Sequence, residues 1–214
     1  MYKFLHFFIL GVPFILIFLA SSGIFNVFKI QEYVDSDIEV TSEKKGEETT
    51  SSIIADTRTF IYAEVIDSAL KNNYIIFGRT PARGYDSDIF GDYVDVELQT
   101  GKNERFSSEV AHLNIFTWLG LVGLTLYIFI FIISSYLAVY KSENIYIKIV
   151  GLYVAFRSTY SWVEEFSLFD LSNIFLWIMI GMCFSDSFRE MTNKEFKTWV
   201  QSVFHESRKQ QVNN

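Results

Sequence analysis

The 214-residue chain contains very little cysteine and proline, and each scarcity excludes a class of protein. Its single cysteine, Cys183, excludes an intramolecular disulfide framework and a multi-cysteine metal site. Two prolines and eleven glycines are too few for a fibrous or low-complexity chain. A formal net charge of -7 argues against broad nucleic-acid binding, because neutralising phosphates requires clustered lysine and arginine. We therefore expect no nucleic-acid partner.

Long apolar runs are abundant, since 50% of the residues are hydrophobic and 18% are aromatic. A helix needs about 20 mostly apolar residues to cross the hydrocarbon of a bilayer. The clearest run has 28 residues without a charge. The sequence therefore predicts an all-α integral membrane protein with about four transmembrane helices, in the runs 4–20, 113–140, 149–163 and 166–184.

Basic residues near the ends of these runs predict their orientation. Lys3 precedes the first run, Lys141 and Lys148 follow the second, and a basic tail follows the fourth. Because cytoplasmic ends carry an excess of lysine and arginine, we expect both termini in the cytoplasm. The predicted domains are a first transmembrane helix in residues 1–28, a mostly helical extracytoplasmic loop domain in 29–111, three transmembrane helices in 112–184 and a cytoplasmic amphipathic tail in 185–214.

The first run also fits a cleaved signal peptide. Lys3 supplies a short basic region, and the small residues 20–22 resemble a cleavage site. The apolar sequence resumes beyond them, at Gly23, Ile24 and Phe25. This continuation favours a retained anchor.

The extracytoplasmic segment begins with a polar, acidic run and continues into a helix. Residues 41–52 contain no apolar side chain, so we expect a mobile surface loop there. Asp56 is placed to cap a helix whose apolar positions, from Phe60 to Leu70, recur at helical spacing. Arg58 then lies in the first turn, where free N–H groups and a guanidinium together favour an anion.

A glycine-rich turn with two arginines comes next. Residues 74–77 form a short apolar run that predicts a strand or an extended piece, and residues 78–84 form a turn that contains Arg79 and Arg83. Glycine lets backbone N–H groups approach a phosphate, and each guanidinium offers a bidentate fork. The turn is therefore a candidate phosphate cradle, although a solvated turn with ordinary surface arginines contains the same residue types.

Three further features stand at or within the apolar runs. His112 precedes the longest run, and a histidine at the membrane boundary either shuttles protons near neutral pH or has no chemical role. Arg157 lies inside the third run, and its candidate carboxylate partners are Glu164, Glu165 and Asp170. Glu164, seven residues on, shares its helical face. This intramembrane charge pair is either a structural clamp or part of a substrate pocket. Gly120 and Gly123 predict a face for close helix packing.

The C-terminal tail carries the signature of a separate helix. Thr192 and Glu195 have the spacing of a capping box. An apolar stripe surrounded by basic residues follows and predicts a short helix on the cytoplasmic leaflet, with the stripe formed by Phe196, Trp199, Val200, Val203 and Phe204.

From Arg58 onward, the order of these features resembles the C-terminal half of the O-antigen ligase and O-antigen polymerase family of bacterial membrane glycosyltransferases. In that family an arginine begins a helix, a short apolar run leads into a glycine-rich turn, and a histidine-containing motif opens a span marked by Gly-x-x-Gly. The corresponding pieces here are DTR at 56–58, FGRTPARG at 77–84 and EVAHLN at 109–114, which leads to GLVG at 120–123. The resemblance covers residues 56–184.

The resemblance implies a multi-pass protein of the bacterial inner membrane that polymerises or transfers glycans carried on undecaprenyl diphosphate, without a metal or a cofactor. Arg58, Arg79 and Arg83 would bind the diphosphate, and His112 would be the catalytic base or orienting group. Glu109 is the alternative catalytic residue, because it occupies the expected distance before the glycine pair. Family members carry more N-terminal spans, so the chain would be a C-terminal fragment, a split gene product, or a part whose missing transmembrane helices a partner chain supplies. The competing hypothesis is a non-catalytic membrane sensor or assembly module with an outward ligand domain.

Overall fold

A computed structural model describes residues 1–26, 28, 39–44, 47–52, 58–87, 99 and 101–212, with 39–44, 47–52 and 204–212 described by their backbone. This part of the chain is mostly helical, as predicted. The helices are α1 (Tyr2–Ser21), α2 (Thr59–Lys71), α3 (Ala111–Lys141), α4 (Ile145–Tyr160), α5 (Leu171–Phe184), α6 (Asp186–Glu190) and α7 (Asn193–Val212). The strands form two antiparallel pairs, β1 (Glu39–Lys44) with β2 (Glu47–Ser52) and β3 (Tyr85–Asp86) with β4 (Glu104–Arg105).

Two helices, α1 and α3, are long and apolar enough to cross a membrane. They correspond to the first and second predicted spans. The third and fourth predicted spans form shorter helices, because α4 has 16 residues and α5 has 14. A straight crossing takes about 20 residues, so length and composition support spanning for only the first two.

The chain divides into two compact units, which we name here by their main features. The bundle unit comprises Met1–Gly11, Thr125–Ser161 and Phe166–Asn214. The groove unit comprises Val12–Leu124 and Trp162–Glu165.

The core of the bundle unit is a cluster of apolar side chains from α3, α4 and α5, including Phe131, Val154 and Leu176. The buried Asn144 joins this core to the tail. Its side-chain oxygen caps α4 by accepting from the Ile147 N–H (2.8 Å), while its amide donates to two carbonyls just before α7 (2.9 Å each). The tail is thereby held against the N-terminal end of α4.

The predicted tail helix is present as α7, and its capping box is confirmed. Thr192 N–H donates to the Glu195 carboxylate at 2.7 Å, and Glu195 N–H donates to the Thr192 hydroxyl at 3.3 Å. Phe196, the first residue of the predicted stripe, is buried and stacks on Tyr146 with ring centres 5.1 Å apart. Trp199 stays partly exposed.

The groove unit is organised by α2, whose buried residues Ile61, Val65 and Ala69 recur at helical spacing. They pack on Tyr74, Tyr85 and the first turns of α3. The predicted helix between residues 60 and 70 is therefore confirmed, while its predicted cap, Asp56, lies outside the described residues.

Two local predictions in this unit are wrong. The acidic run 41–52, expected as a loop, contributes to the hairpin of β1 and β2. The apolar run 74–77, expected as a strand or an extended piece, is a turn in which Gly78 N–H donates to the Tyr74 carbonyl (2.8 Å). The chain bends at this point, where the Ile75 and Ile76 carbonyls accept hydrogen bonds from α3. The run therefore forms neither a strand nor a helix.

Helix α3 is interrupted at Gly120, whose backbone angles are not helical (φ 67°, ψ -167°). In a continuous helix, the N–H groups of residues 121 and 122 would donate to the carbonyls of residues 117 and 118. Backbone groups of segment 75–80 form hydrogen bonds with all four of these groups. The bonds run from Leu121 N–H to Ile75 O (2.8 Å), Val122 N–H to Ile76 O (3.2 Å), Arg79 N–H to Thr117 O (2.7 Å) and Thr80 N–H to Trp118 O (2.9 Å).

Glycine is required at two points of this crossing. Gly78 and Gly120 both have positive φ angles, of 73° and 67°. A Cβ atom on Gly78 would stand 2.4 Å from the Leu119 nitrogen, and one on Gly120 would stand 2.3 Å from the Ile76 carbonyl oxygen. The prediction that Gly120 forms a face for helix packing is therefore wrong, because Gly120 is where the helix opens to segment 75–80.

Replacing Gly120 with alanine is expected to destabilise the groove unit. The substitution combines a left-handed backbone with a clash against backbone atoms, and strain of this kind costs about 1–3 kcal/mol. Thermal unfolding of the purified chain in detergent should show a lowered Tm.

The matched control is Gly181→Ala in α5, where an added Cβ would meet nothing within 4 Å. Its Tm should be unchanged or raised, because alanine favours a helix over glycine by about 1 kcal/mol. Equal Tm values for the two variants would contradict the role assigned to Gly120.

Candidate functional site

The candidate site is an apolar groove of about 280 Å³ between α2 and α3 in the groove unit. On α2 it is lined by Tyr62, Ile66, Ala69 and Leu70, and two of these, Ile66 and Leu70, have at least half of their surface exposed. The remaining lining residues are Ile75, His112, Leu113, Phe116, Leu121, Leu124 and Trp162. Its volume is at the small end of the range for ligand pockets, and its lining suits a hydrocarbon chain.

Polar groups converge on the short segment Trp162–Glu165, which contributes Trp162 to the groove lining. Arg58 donates through Nη2 to the Glu164 carboxylate at 3.1 Å. The Ala111 N–H, at the start of α3, donates to the Glu164 carbonyl at 3.1 Å. Asn114 donates to the Glu165 carboxylate. The N-terminal ends of α2 and α3 are thus both tied to this segment, and two carboxylates lie beside them.

His112 lies in the first turn of α3 and is 1% exposed. Its ring packs edge-on against Trp162, with centres 4.6 Å apart. Both rings line the groove. Tyr62 lies at the same end of the groove, where its hydroxyl donates to the Trp162 carbonyl. Burial raises the pKa of its phenol. The structure therefore brings the predicted residues Arg58 and His112 to the same segment.

The other two predicted diphosphate ligands, Arg79 and Arg83, lie in a separate cluster around Glu104. Arg83 donates through Nε and Nη2 to both carboxylate oxygens of Glu104. Arg79 lies 3.5 Å from the same carboxylate and donates to Asp86 at 2.8 Å and to the Gly84 carbonyl at 2.9 Å. Both guanidinium groups are held by carboxylates, so the turn closes on itself rather than presenting an open cradle.

The electrostatics of this cluster favour the charged carboxylates. Hydrogen bonds from Arg83 hold the pKa of Glu104 below its usual value, against burial, which raises it. Burial also raises the pKa of Asp86, but hydrogen bonds from Asn72 and Arg79 outweigh it, and the net pKa is lowered. The same pairing raises the pKa of Arg83.

The alternative catalytic residue and the predicted charge pair have other partners. Glu109 is exposed and accepts from Arg105 at 2.6 Å. Glu164 pairs with Arg58, and the contacts of Arg157 are with Tyr153, Ser172 and Phe166. The ion pairs of the described residues therefore do not include the predicted one between Arg157 and Glu164. Spacing along a helix fails here because α4 ends at Tyr160, before Glu164.

Sequence reasoning gave no site role to Tyr62, Asn114 and Trp162, and it considered Glu165 only as a possible partner of Arg157. One signal was available for Trp162 and Glu165. The stretch WVEE at 162–165 places an aromatic side chain and two acids between apolar runs, where the chain must leave a helix. Tyr62 and Asn114 sit among apolar residues of predicted helices, and only the fold shows what their polar atoms contact.

Comparison with known proteins gives no match, because no family model, no curated protein and no solved structure is significantly similar to this chain. A functional interpretation therefore depends on the residues themselves.

Replacing Glu104 with glutamine is expected to destabilise the groove unit by about 1–3 kcal/mol, because it removes the buried, charged acceptor that Arg79 and Arg83 share. Denaturant titration of the purified chain, followed by tryptophan fluorescence, measures the change. Glu109→Gln is the control, since its partly exposed pair with Arg105 should contribute less than about 1 kcal/mol. A larger effect at Glu109 than at Glu104 would contradict the buried cluster.

Acid is expected to weaken the same cluster. The folded-state pKa values of Glu104 and Asp86 lie below their ordinary values of 4.5 and 3.8, so their stabilising effect is complete above those values. It is lost as the pH falls through the folded-state values. The Tm should therefore drop between about pH 5 and pH 3, and Glu104→Gln should flatten that drop. An identical pH profile for the variant would argue against this linkage.

Proposed function

We propose that the chain is the C-terminal part of a membrane glycosyltransferase of the O-antigen ligase or polymerase type. It crosses the bacterial inner membrane four times with both termini in the cytoplasm, and it acts on glycans linked to undecaprenyl diphosphate. One observation carries the proposal. An apolar groove runs along α3, a helix of spanning length, and one end of this groove lies beside Arg58, His112 and two carboxylates.

The groove suits the lipid part of such a substrate. Its lining residues from α2 and α3 are mostly aliphatic or aromatic, as an isoprenoid chain requires. A volume of about 280 Å³ accommodates part of that chain, and the bilayer solvates the rest.

Arg58 is the arginine best placed to bind the diphosphate. Its pair with Glu164 is partly exposed on both sides, with 31% and 40% of the side-chain surfaces accessible. Partly exposed ion pairs of this kind contribute only about 0–1 kcal/mol, so a diphosphate can displace the carboxylate at little cost. Arg79 and Arg83, in contrast, are held by the buried Glu104 and support the turn.

His112 is then the base. The acceptor hydroxyl oxygen forms a bond to the anomeric carbon of the lipid-linked sugar, while the bond from that carbon to the diphosphate oxygen breaks. The diphosphate leaves with the electron pair, where Arg58 stabilises its charge, and His112 takes the hydroxyl proton. Trp162 holds the imidazole ring against the groove wall. Glu109, paired with Arg105, has no part in this step.

One observation favours the second candidate, a non-catalytic membrane sensor or assembly module. All three arginines expected to bind diphosphate are paired with carboxylates within the fold. A module of this kind would not need free cationic groups. The two candidates differ in whether Arg58 and His112 are required for glycan synthesis.

Arg58→Gln and His112→Ala are each expected to abolish long surface glycan in cells that depend on this chain and on its partner spans, when membrane levels of the variants match the parent. Gel separation of extracted glycan gives the length distribution. Lys71→Gln is the control, because Lys71 is 76% exposed and its ion pair with Asp86, at 3.4 Å, lies at the surface. Normal glycan length in both site variants would favour the non-catalytic module.

Filling the groove tests the lipid site separately from catalysis. Ile66→Trp places a large ring in the groove from α2, and we expect it to weaken binding of a radiolabelled isoprenyl diphosphate to the detergent-solubilised chain by about tenfold or more. Ala63→Trp adds the same ring at an exposed position of α2 that does not line the groove, and it should bind as the parent does. Equal weakening by both rings, or by neither, would count against the groove as the lipid site.

A further inference from the structure

The bundle unit contains a buried arginine that has no carboxylate partner among the residues that the structure describes. Arg157 is 6% exposed, although it lies in the last turn of α4 among apolar residues. None of the ion pairs of the described residues includes it. Burying a guanidinium is costly unless a counter-charge or a full set of acceptors compensates it. The α4 C-terminal carbonyls favour a cation at this position and supply part of that compensation.

One edge of this guanidinium has no hydrogen-bond partner among the described residues. Nη1 makes both of its side-chain hydrogen bonds, to the Tyr153 hydroxyl at 3.1 Å and to the Ser172 hydroxyl at 3.3 Å. Nε is buried without a hydrogen-bond partner among the described residues. Arg83 shows what this edge binds, because its Nε and Nη2 hold the two oxygens of Glu104. The corresponding edge of Arg157 has no carboxylate against it among the described residues, and its geometry fits two oxygens of an oxyanion.

The residues around Arg157 hold it in place and add donors. Phe166 lies over the guanidinium at 3.6 Å, and Asn173 fixes the Phe166 backbone by donating to its carbonyl at 2.7 Å. The Tyr153 and Ser172 hydroxyls accept from Nη1, so each keeps its own proton to donate. Both residues are exposed. A ligand with three or more acceptor oxygens satisfies these groups better than a carboxylate, which has two.

The unpartnered edge of Arg157 lies at the ends of two helices, and this position indicates the source of the oxyanion. Arg157 is in the last turn of α4 and Ser172 is in the first turn of α5, so both lie at the ends of apolar helices. In the proposed topology α4 and α5 cross the membrane, and their ends then stand at the depth of the lipid headgroups. The choice of a lipid as the source of the oxyanion rests on that topology. The first turn of α5 also favours an anion, although the Asp170 carboxylate already caps it by accepting from the Asn173 N–H at 2.7 Å.

We propose that Arg157, with the hydroxyls of Tyr153 and Ser172, binds the phosphate group of a membrane lipid at this end of α4 and α5. The phosphate oxygens occupy the Nε and Nη2 edge and supply the missing counter-charge. Because every contact lies in the bundle unit, this site does not depend on the groove or on the proposed transfer reaction.

Inorganic phosphate is the first probe. At constant ionic strength in detergent, phosphate replacing chloride should raise the Tm of the whole chain in a saturable way. Arg157→Gln should remove this rise, and Arg157→Lys should increase the half-saturating phosphate concentration by about tenfold, because a lysine lacks the bidentate edge. Arg189→Gln is the control, since Arg189 already pairs with Asp186, and it should retain the full rise.

Two lipid-borne probes distinguish the sources of the phosphate. Short-chain phosphatidic acid stands for a phospholipid headgroup, and farnesyl diphosphate stands for an isoprenoid carrier. Whichever saturates the Tm rise at the lower concentration identifies the source, and Arg157→Gln should lose the response to it. An equal response from the parent and Arg157→Gln, or no response from the parent to any of the three probes, would overturn the proposal.

A measurement on the parent chain covers the case in which Arg157→Gln fails to fold. Phosphate should slow hydrogen exchange in peptides that contain Tyr153–Arg157 and Phe166–Asn173, and leave peptides from α7 unchanged. Ser172→Ala removes one donor and should weaken the effect without abolishing folding. Uniform protection of all peptides, or none, would show that phosphate does not bind at Arg157.

Discussion

The interaction on which the groove unit depends is the exchange of hydrogen bonds between the break in α3 and segment 75–80. Backbone N–H and C=O groups freed from a helix must find partners, above all at membrane depth, where no water replaces them. Here four bonds from one short segment satisfy both sides of the break. The crossing is close enough that Gly78 and Gly120 have no room for a side chain. The turn after it, with Arg79 and Arg83, is therefore fixed to α3 by backbone bonds rather than by packing alone.

Electrostatics then separates arginines that look alike in the sequence. Arg79 and Arg83 share the buried Glu104, and the lowered pKa of that carboxyl makes their pairing a stabilising element of the turn. The pair between Arg58 and Glu164 is partly exposed on both sides, so it contributes only about 0–1 kcal/mol. Arg157 is stacked on Phe166 and bonded only to hydroxyls, so its charge is incompletely compensated within the fold. These four arginines therefore differ in the strength and burial of their partners, although the residue type is the same.

The site at Trp162–Glu165 shows how the fold assembles groups from distant sequence. Arg58 and Glu164 are separated by 106 positions, and Asn114 and Glu165 by 51. The helix start at Arg58 and the histidine at the start of α3 were visible in the sequence. The contacts that join them through Trp162 and the two acids were not visible, because a contact of this range leaves no periodic trace. Glu164 was assigned to Arg157 by helical spacing, and the end of α4 at Tyr160 removed the basis of that assignment.

The sequence alone determined what depends on neighbouring residues. Apolar runs gave the two helices of spanning length, a 3.6-residue period gave the buried face of α2, and Thr192 with Glu195 formed the capping box of α7. These features follow from local hydrogen bonding and from the polarity of residues within a few turns. Only the tertiary structure decided where α3 breaks, which carboxylate each arginine meets and how the groove is lined. These outcomes depend on segments tens of residues apart, whose approach is governed by packing and by the need to satisfy every buried polar group.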